Sequence, residues 1–308
     1  SCFGKIEVEG PDSAAFLNLV CSSQMDKSPG TVIYTAVLNA RGTYETDITA
    51  QRIKDDHYRL FVGTASIARD LAWLQSHTVG YDVSLFGLMG PNAGQIAKAC
   101  GAPELLELGY FKVGPAHIAD KHVRAARMSY VGEAGWEITA KWEYAPAIYN
   151  ALTAAGAKPA GLYAQTSMRV EKGFAAMGHE LDADTTPFQT GMGNRLKKSA
   201  PFVGKEALDA VAAAQQTRSL VTLIFEDPTA NPLGHEPIYF EDKIIGTTTT
   251  AAFGYRIGRP VALAHIDDLS ATAQVVQVQV TGKSYAAKVQ LEPAFDPNGS
   301  RMRTPIHA

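Results

Sequence analysis

The sequence predicts an α+β protein that ends in an all-β barrel. Three observations carry that expectation. Up to about residue 215, β-branched and aromatic strand patterns alternate with apolar helix patterns. A strand–turn–helix plan at 5–22 recurs at 83–100. From about residue 216, only short strands separated by turn residues remain. The chain has 308 residues, enough for about two domains. The expected division is 1–215 and 216–308, with the linker at the end of helix 204–215 and the polar run Gln215-Gln216-Thr217-Arg218.

Taken in order, Lys5–Glu9 alternates as a strand. Gly10-Pro11-Asp12-Ser13 then provides a turn and an N-cap for helix 13–22, whose apolar side is Ala15, Phe16, Leu17 and Val20. Thr31–Leu38 and Tyr44–Ile53 read as a hairpin reversing at Asn39-Ala40-Arg41-Gly42. On its return strand, Tyr44, Thr46, Ile48 and Ala50 share one face, and Glu45, Asp47, Thr49 and Gln51 the other. Such a polar face is either solvated or lines a polar pocket, and Asp47 is its best-placed carboxylate. A short strand at Tyr58–Val62 and a helix over about 66–76 follow. Val83–Leu88 is a strand, and Asn92 caps helix 93–100. Tyr110 and Phe111 precede a Gly-Pro turn, and Lys121–Tyr130 is a strand. Helices are expected at 144–155 and 158–172. The barrel strands are Thr217–Phe225, Pro237–Phe240, Lys243–Thr249, Val261–Ile266, Gln274–Val280 and Ala286–Glu292.

Composition removes several function classes. Net charge is -3, with 46% hydrophobic and 19% charged residues, which lacks the basic footprint of nucleic-acid binding. No apolar run approaches the roughly 20 residues of a membrane span. Cys2, Cys21 and Cys100 form no CxxC pair, so buried thiols in a reducing compartment are expected, the cytoplasm or, in a eukaryote, the mitochondrial matrix. Zinc ligation is not expected. The chain starts inside a strand without an initiator Met or leader, as a fragment of a longer polypeptide, or a chain whose beginning was processed off, would.

Two stretches hold the candidate chemistry. In Tyr130–Ile138, a turn at Gly132–Gly135 leads into a strand where Trp136 and Ile138 face one way and Glu137 the other. Glu137 then lies either on the solvent face of an edge strand or in a cavity, where it needs a partner with neighbouring N–H donors. The segment 169–193 is dense in Gly, Asp, Thr and Pro, as in a long ordered loop. His179, Glu180, Asp182 and Asp184 within it match no metal spacing, and a hydrogen-bonded structural role is expected. His117 and His122 read as ordinary histidines. No GxGxxG, GxxxxGK[ST] or GxSxG occurs.

Together the segments SCFGKIEVEGPDS, Tyr34–Thr49 (YTAVLNARGTYETDIT), GLMGPNA (87–93), YVGEAGWEI, SMRVEKG (167–173), GHELDADTTPFQTGMG (178–193) and FVGKEAL (202–208) resemble the aminomethyltransferase family typified by the glycine cleavage T-protein. The resemblance implies three lobes in a cloverleaf around a central folate cavity, the last a β-barrel. TTTTAAFGYRI (247–257) and AFDPNGSRMR (294–303) are similar to the C-terminal folate domains of dimethylglycine and sarcosine dehydrogenases and oxidases. An N-terminal part of the first lobe, and a flavin (FAD) domain or subunit outside this chain, are therefore implied.

Carried over by motif, Tyr130 and Glu137 fall on the pteridine-binding Tyr and Glu, with Glu137 accepting from the ring's 2-amino and N3–H edge. Arg169 falls on the Arg that joins this network, suited to anchoring Glu137 or a ring oxygen. Tyr110 falls on an aromatic wall, and Asp47 on the acid facing the folate nitrogens. The implied chemistry is capture of the carbon released from an N-methylamine, as 5,10-methylenetetrahydrofolate. Gln189 stands where the family usually has Glu, Thr43 replaces a second Gly, Ala134 replaces a turn residue that is often acidic, and Thr46-Asp47 replaces a pair of acids. Two alternatives remain. One is a stand-alone tetrahydrofolate-dependent O- or S-demethylase. The other is a non-enzymatic folate-binding factor, against which the absence of Cys from Phe202–Glu206 counts.

Overall fold

The computed structural model describes residues 3–63, 67, 70, 83–193, 196, 201–213 and 217–306. Two four-stranded antiparallel sheets and a closed six-stranded barrel make up its β structure. The first sheet comprises β1 (Phe3–Glu9), β2 (Val32–Leu38), β3 (Tyr44–Lys54) and β4 (His57–Gly63), in the order β1-β4-β3-β2. The second comprises β5 (Val83–Met89), β6 (Val113–Ile118), β7 (Lys121–Arg127) and β8 (Gly135–Lys141), in the same plan, β5-β8-β7-β6.

The repeated plan extends to the connections. Gly10 and Gly90 both take positive φ, at 130° and 141°, ahead of the helices Ser13–Val20 and Ala93–Ala99. Each of those helices packs on its own sheet, in separate cores built around Leu17, Ile48 and Tyr58 and around Trp136, Ile138 and Leu105. Asp12 and Asn92 stand at the expected N-cap positions, but neither side chain makes a cap hydrogen bond.

The other faces of the two sheets meet. Val113 N–H donates to Gly30 O at 2.7 Å and Val32 N–H to Phe111 O at 3.0 Å, joining β2 to β6 at their ends. Beyond that seam, Val32, Val113 and Ala126 form an apolar contact with Phe111 and Met128, and Arg59 Nη1 donates to Thr139 Oγ1 at 3.3 Å.

The barrel strands are β9 (Ser219–Phe225), β10 (Pro237–Phe240), β11 (Lys243–Gly254), β12 (Arg259–Ile266), β13 (Val275–Val280) and β14 (Lys283–Gln290), closed in the order β10-β11-β12-β9-β14-β13. Closure leaves no edge, and the alternating inward residues make a core of their own. Helix Leu162–Glu171 lies against β11, where Ser167 Oγ donates to Phe253 O at 2.6 Å.

Two expectations are corrected here. Gly114-Pro115 is not a turn but lies inside β6, an edge strand where Pro costs no ladder bond. Strand β8 is not at an edge, because β5 and β7 flank it. The expected helix over 66–76, apart from residues 67 and 70, and the linker residues Gln215-Gln216 lie outside the described residues.

Candidate functional site

Glu137 reaches the interior because β8 alternates. Trp136 and Ile138 enter the helix-side core, which turns Glu137 and Thr139 toward the first sheet. The preceding turn is fixed by its glycines. Gly132 takes φ 79°, and a Cβ on Gly135 would collide with the Leu88 carbonyl and lie 2.6 Å from Met89 Cα. Across the ladder, Glu137 pairs with Gly87 on one side and Ala126 on the other. With such small neighbours, neither paired residue has a side chain long enough to cover the carboxylate. Glu137 is 7% exposed, and burial alone pushes its carboxyl up to about 7. Among the described residues nothing hydrogen-bonds to it or pairs with it. A buried carboxylate without a donor is costly when ionised.

Asp47 projects from β3 on the half-buried face shared with Glu45 and Thr49, while Thr46, Ile48 and Ala50 are buried on the other. The Tyr34 hydroxyl donates to Asp47 Oδ2 at 2.6 Å. Burial raises the Asp47 carboxyl; the Tyr34 hydrogen bond offsets part of the rise, and the Asp70 charge adds to it. Burial also pushes the Tyr34 phenol well above its ordinary range, with the Asp47 charge adding to it. Asp70 is 2% exposed and accepts from Thr46 Oγ1 at 3.0 Å, so a second acid stands behind β3 rather than beside Asp47 in the chain.

Tyr130 donates from its hydroxyl to Ala175 O at 3.0 Å and stacks on Phe174, centroids 5.9 Å apart and planes 12° apart. Burial raises its phenol, while the Arg169 charge works the other way. Tyr34, Asp47 and Tyr130 are enclosed by protein, yet each keeps accessible surface. Electrostatic influence links the three, since Asp47 and Tyr130 act on Tyr34 and Asp47 acts on Tyr130. On the Asp47 face of β3, Gln51 is fully buried with both amide atoms unbonded among the described residues.

The expected anchoring of Glu137 by Arg169 is corrected. Arg169 is 4% exposed and donates to Glu180 Oε2 at 2.8 Å, Phe174 O at 2.9 Å and Thr250 Oγ1 at 3.0 Å. Its charge is satisfied by Glu180, which also accepts from Ala176 N–H at 2.9 Å, Thr249 Oγ1 at 2.7 Å and Thr250 Oγ1 at 2.6 Å. This knot ties the loop after helix Leu162–Glu171 to the barrel and holds Phe174 and Ala175 against Tyr130. Among the described residues, no group of three or more His, Cys, Asp or Glu side chains is placed to hold a metal ion. Tyr110 is half-buried, its ring edge-on to Phe111 at 4.6 Å. It is Phe111 that enters the contact between the sheets. The Gln189 side chain accepts from Thr186 N–H at 2.8 Å, and its backbone carbonyl accepts from Leu220 N–H of the barrel at 2.7 Å.

Pattern reasoning did not single out Tyr34, Phe174 or Glu180 as site-forming residues. Tyr34 was within reach: applying the period-2 argument to β2 puts it opposite Thr49 on the Asp47 face.

These features define a mixed α/β protein with a closed C-terminal barrel and two acids, Glu137 and Asp47, on strands of its paired sheets. Residues 1–200 match the family model described as the GCVT N-terminal domain, and residues 218–296 match that of the glycine cleavage T-protein C-terminal barrel domain. The chain belongs to the glycine cleavage T-protein family, a family of folate-dependent, aminomethyltransferase-type one-carbon transfer. It is similar to an aminomethyltransferase of Thermus thermophilus (32% identity, covering 95% of this chain and 85% of that protein). It is also similar to the mitochondrial dimethylglycine dehydrogenase of Rattus norvegicus (31% identity), covering 98% of this chain but 38% of that protein. The chain thus spans under two-fifths of the length of that dehydrogenase. The crystal structure of the glycine cleavage system aminomethyltransferase T from Bartonella henselae has the same fold. Its TM-score is 0.88 at 23% identity, covering 96% of this chain and 85% of that one. No helix among the described residues is long and apolar enough to cross a membrane.

Proposed function

We propose that this chain binds tetrahydrofolate at Glu137, Tyr130 and Asp47 and captures, as 5,10-methylenetetrahydrofolate, the carbon released by oxidative N-demethylation of a dimethylglycine- or sarcosine-like amine. The single observation that carries the reading is Glu137, a buried carboxylate near neutrality without a donor of its own. It fits a planar ring edge with adjacent N–H groups, which would satisfy both oxygens and favour the ionised form. Tetrahydrofolate supplies two nitrogens that take up the carbon of formaldehyde, whose oxygen leaves as water with the two nitrogen protons.

The protein's part is positioning and proton handling. Glu137 fixes one end of the ring, and Tyr130 backed by Phe174 offers an aromatic surface beside it. Arg169 acts through Glu180 by holding that surface in place, and Tyr110 stands with Phe111 at the seam between the sheets. Asp47, its carboxyl raised by burial, holds and moves the proton at the transferring end. FAD belongs to a separate domain or subunit that oxidises the amine. Similarity to a full oxidising enzyme over 98% of this chain supports that partner.

Comparable similarity to an aminomethyltransferase favours a second reading, in which the carbon arrives from a donor without flavin chemistry. The experiment supplies tetrahydrofolate with formaldehyde and, separately, with dimethylglycine plus a flavin-dependent demethylating enzyme, and measures methylene transfer. The wild type accelerates transfer and Asp47→Asn binds folate but transfers slowly. Equal turnover in Asp47→Asn removes Asp47 from the mechanism.

A further inference from the structure

The hydroxyl of Tyr34 is the one side-chain group hydrogen-bonded to Asp47 among the described residues. The register puts Ala36 opposite Asp47 and Tyr34 opposite Thr49, so the phenol reaches diagonally along the ladder to the carboxylate. The contact is 2.6 Å and ends on Oδ2. Among the described residues no side chain bonds to Oδ1. Burial and the Asp47 charge both favour the protonated phenol, which is the form that donates to the carboxylate.

We propose that Tyr34 is a positioning residue for the transfer step, clamping Oδ2 of Asp47 so that Oδ1 is the oxygen that handles the proton. The proposal rests on the assignment of Asp47 to the transferring end. A charge-assisted hydrogen bond both orients a carboxylate and favours its ionised form. The clamp therefore acts against burial, which raises the Asp47 carboxyl. Other ionisable groups act on the pair from neighbouring elements. Asp70 lies behind β3, Tyr44 is on β3, and Tyr130 is in the turn before β8. Arg169 and Glu180 act in turn on Tyr130. Asp70 repels the Asp47 charge, so the two flanking groups pull in opposite directions.

The test is Tyr34→Phe, which keeps the ring and removes only the hydroxyl, with Asp70→Asn as the opposing variant. Carboxyl 13C NMR follows Asp47 in the ligand-free protein. The titration moves up by about one pH unit or more in Tyr34→Phe, the loss expected of a hydrogen bond to a charged group, and down in Asp70→Asn. The acid limb of the transfer rate moves by the same amount in Tyr34→Phe, while reduced-folate affinity stays within about twofold of wild type. An unchanged Asp47 titration in Tyr34→Phe overturns the proposal, whatever the rate does. Should Tyr34→Phe not fold, the wild type decides. A slowly exchanging Tyr34 hydroxyl proton that is lost in Asp47→Ala supports the clamp, and free exchange contradicts it. Failure of the wild type to bind reduced folate refutes the function proposed above but leaves the NMR result to decide the clamp.

Discussion

Glu137→Gln separates ligand binding from stability. The folded protein raises the Glu137 carboxyl from its ordinary 4.5 to about 7. Each pH unit of such a difference corresponds to about 1.4 kcal/mol, so ionised Glu137 destabilises the ligand-free fold by about 3 kcal/mol. The folded state holds the proton more tightly than the unfolded chain. The penalty is therefore absent below pH 4.5, grows as pH rises to about 7, and is constant above that. Gln carries no charge and removes this pH dependence, while a buried amide without partners costs about 1–3 kcal/mol at every pH. The decisive readout is the slope, not the offset. Urea unfolding of both proteins at pH 4.5, 5.5, 6.5 and 7.5 should show the variant gaining on the wild type by up to about 3 kcal/mol across the series. Its affinity for reduced folate should nonetheless collapse, because the ring's N–H donors lose their acceptor. A difference between the two proteins that does not vary with pH would refute the reasoning about burial. Undiminished folate binding by the variant would refute the assignment of Glu137.

Three further outcomes follow from the same geometry. Binding of reduced folate at pH 7 should release up to about half a proton, because Glu137 is then half-protonated and its ligand favours the ionised form. Calorimetry in buffers of different ionisation enthalpy measures this release, and net proton uptake would contradict it. Glu180→Ala leaves the Arg169 guanidinium buried without its acid, so a loss of about 3–5 kcal/mol is expected on thermal or urea unfolding, with weakened folate binding as the Phe174 loop loosens. Near-wild-type stability there would show that the knot matters little. Gly135→Ala forces a Cβ into the backbone of Leu88 and Met89, so it should lower soluble yield or stability far more than Gly161→Ala, where the backbone has a negative φ and nothing lies within 4 Å of the added carbon; equal effects would place the close approach in doubt.

The barrel was legible because closed antiparallel strands alternate cleanly and end at turn residues. Pro237–Phe240 has the predicted bounds, while β11 continues to Gly254 instead of stopping at Thr249. The recurrence of the 5–22 plan at 83–100 was legible as a repeated strand–turn–helix, but not the antiparallel order that the two sheets share. Strand β6 escaped because Gly114-Pro115 has turn chemistry, and only its edge position makes Pro tolerable there. The position of β8 between β5 and β7 depends on a crossover between segments far apart in the chain, which local pattern does not encode. The same limit explains Arg169. Its residue type and helix were readable, but its choice of Glu180 over Glu137 depends on how the 174–181 loop folds back against the barrel. Asp47 was found from alternation on one strand, while Tyr34 needed the register of two.

The most direct measurement of the central claim is a calorimetric titration of the intact chain with reduced folate, repeated on Glu137→Ala. Saturable binding by the wild type and none by the variant is the expected result. Wild-type protein that shows no saturable binding, or a variant that binds as tightly as the wild type, contradicts it.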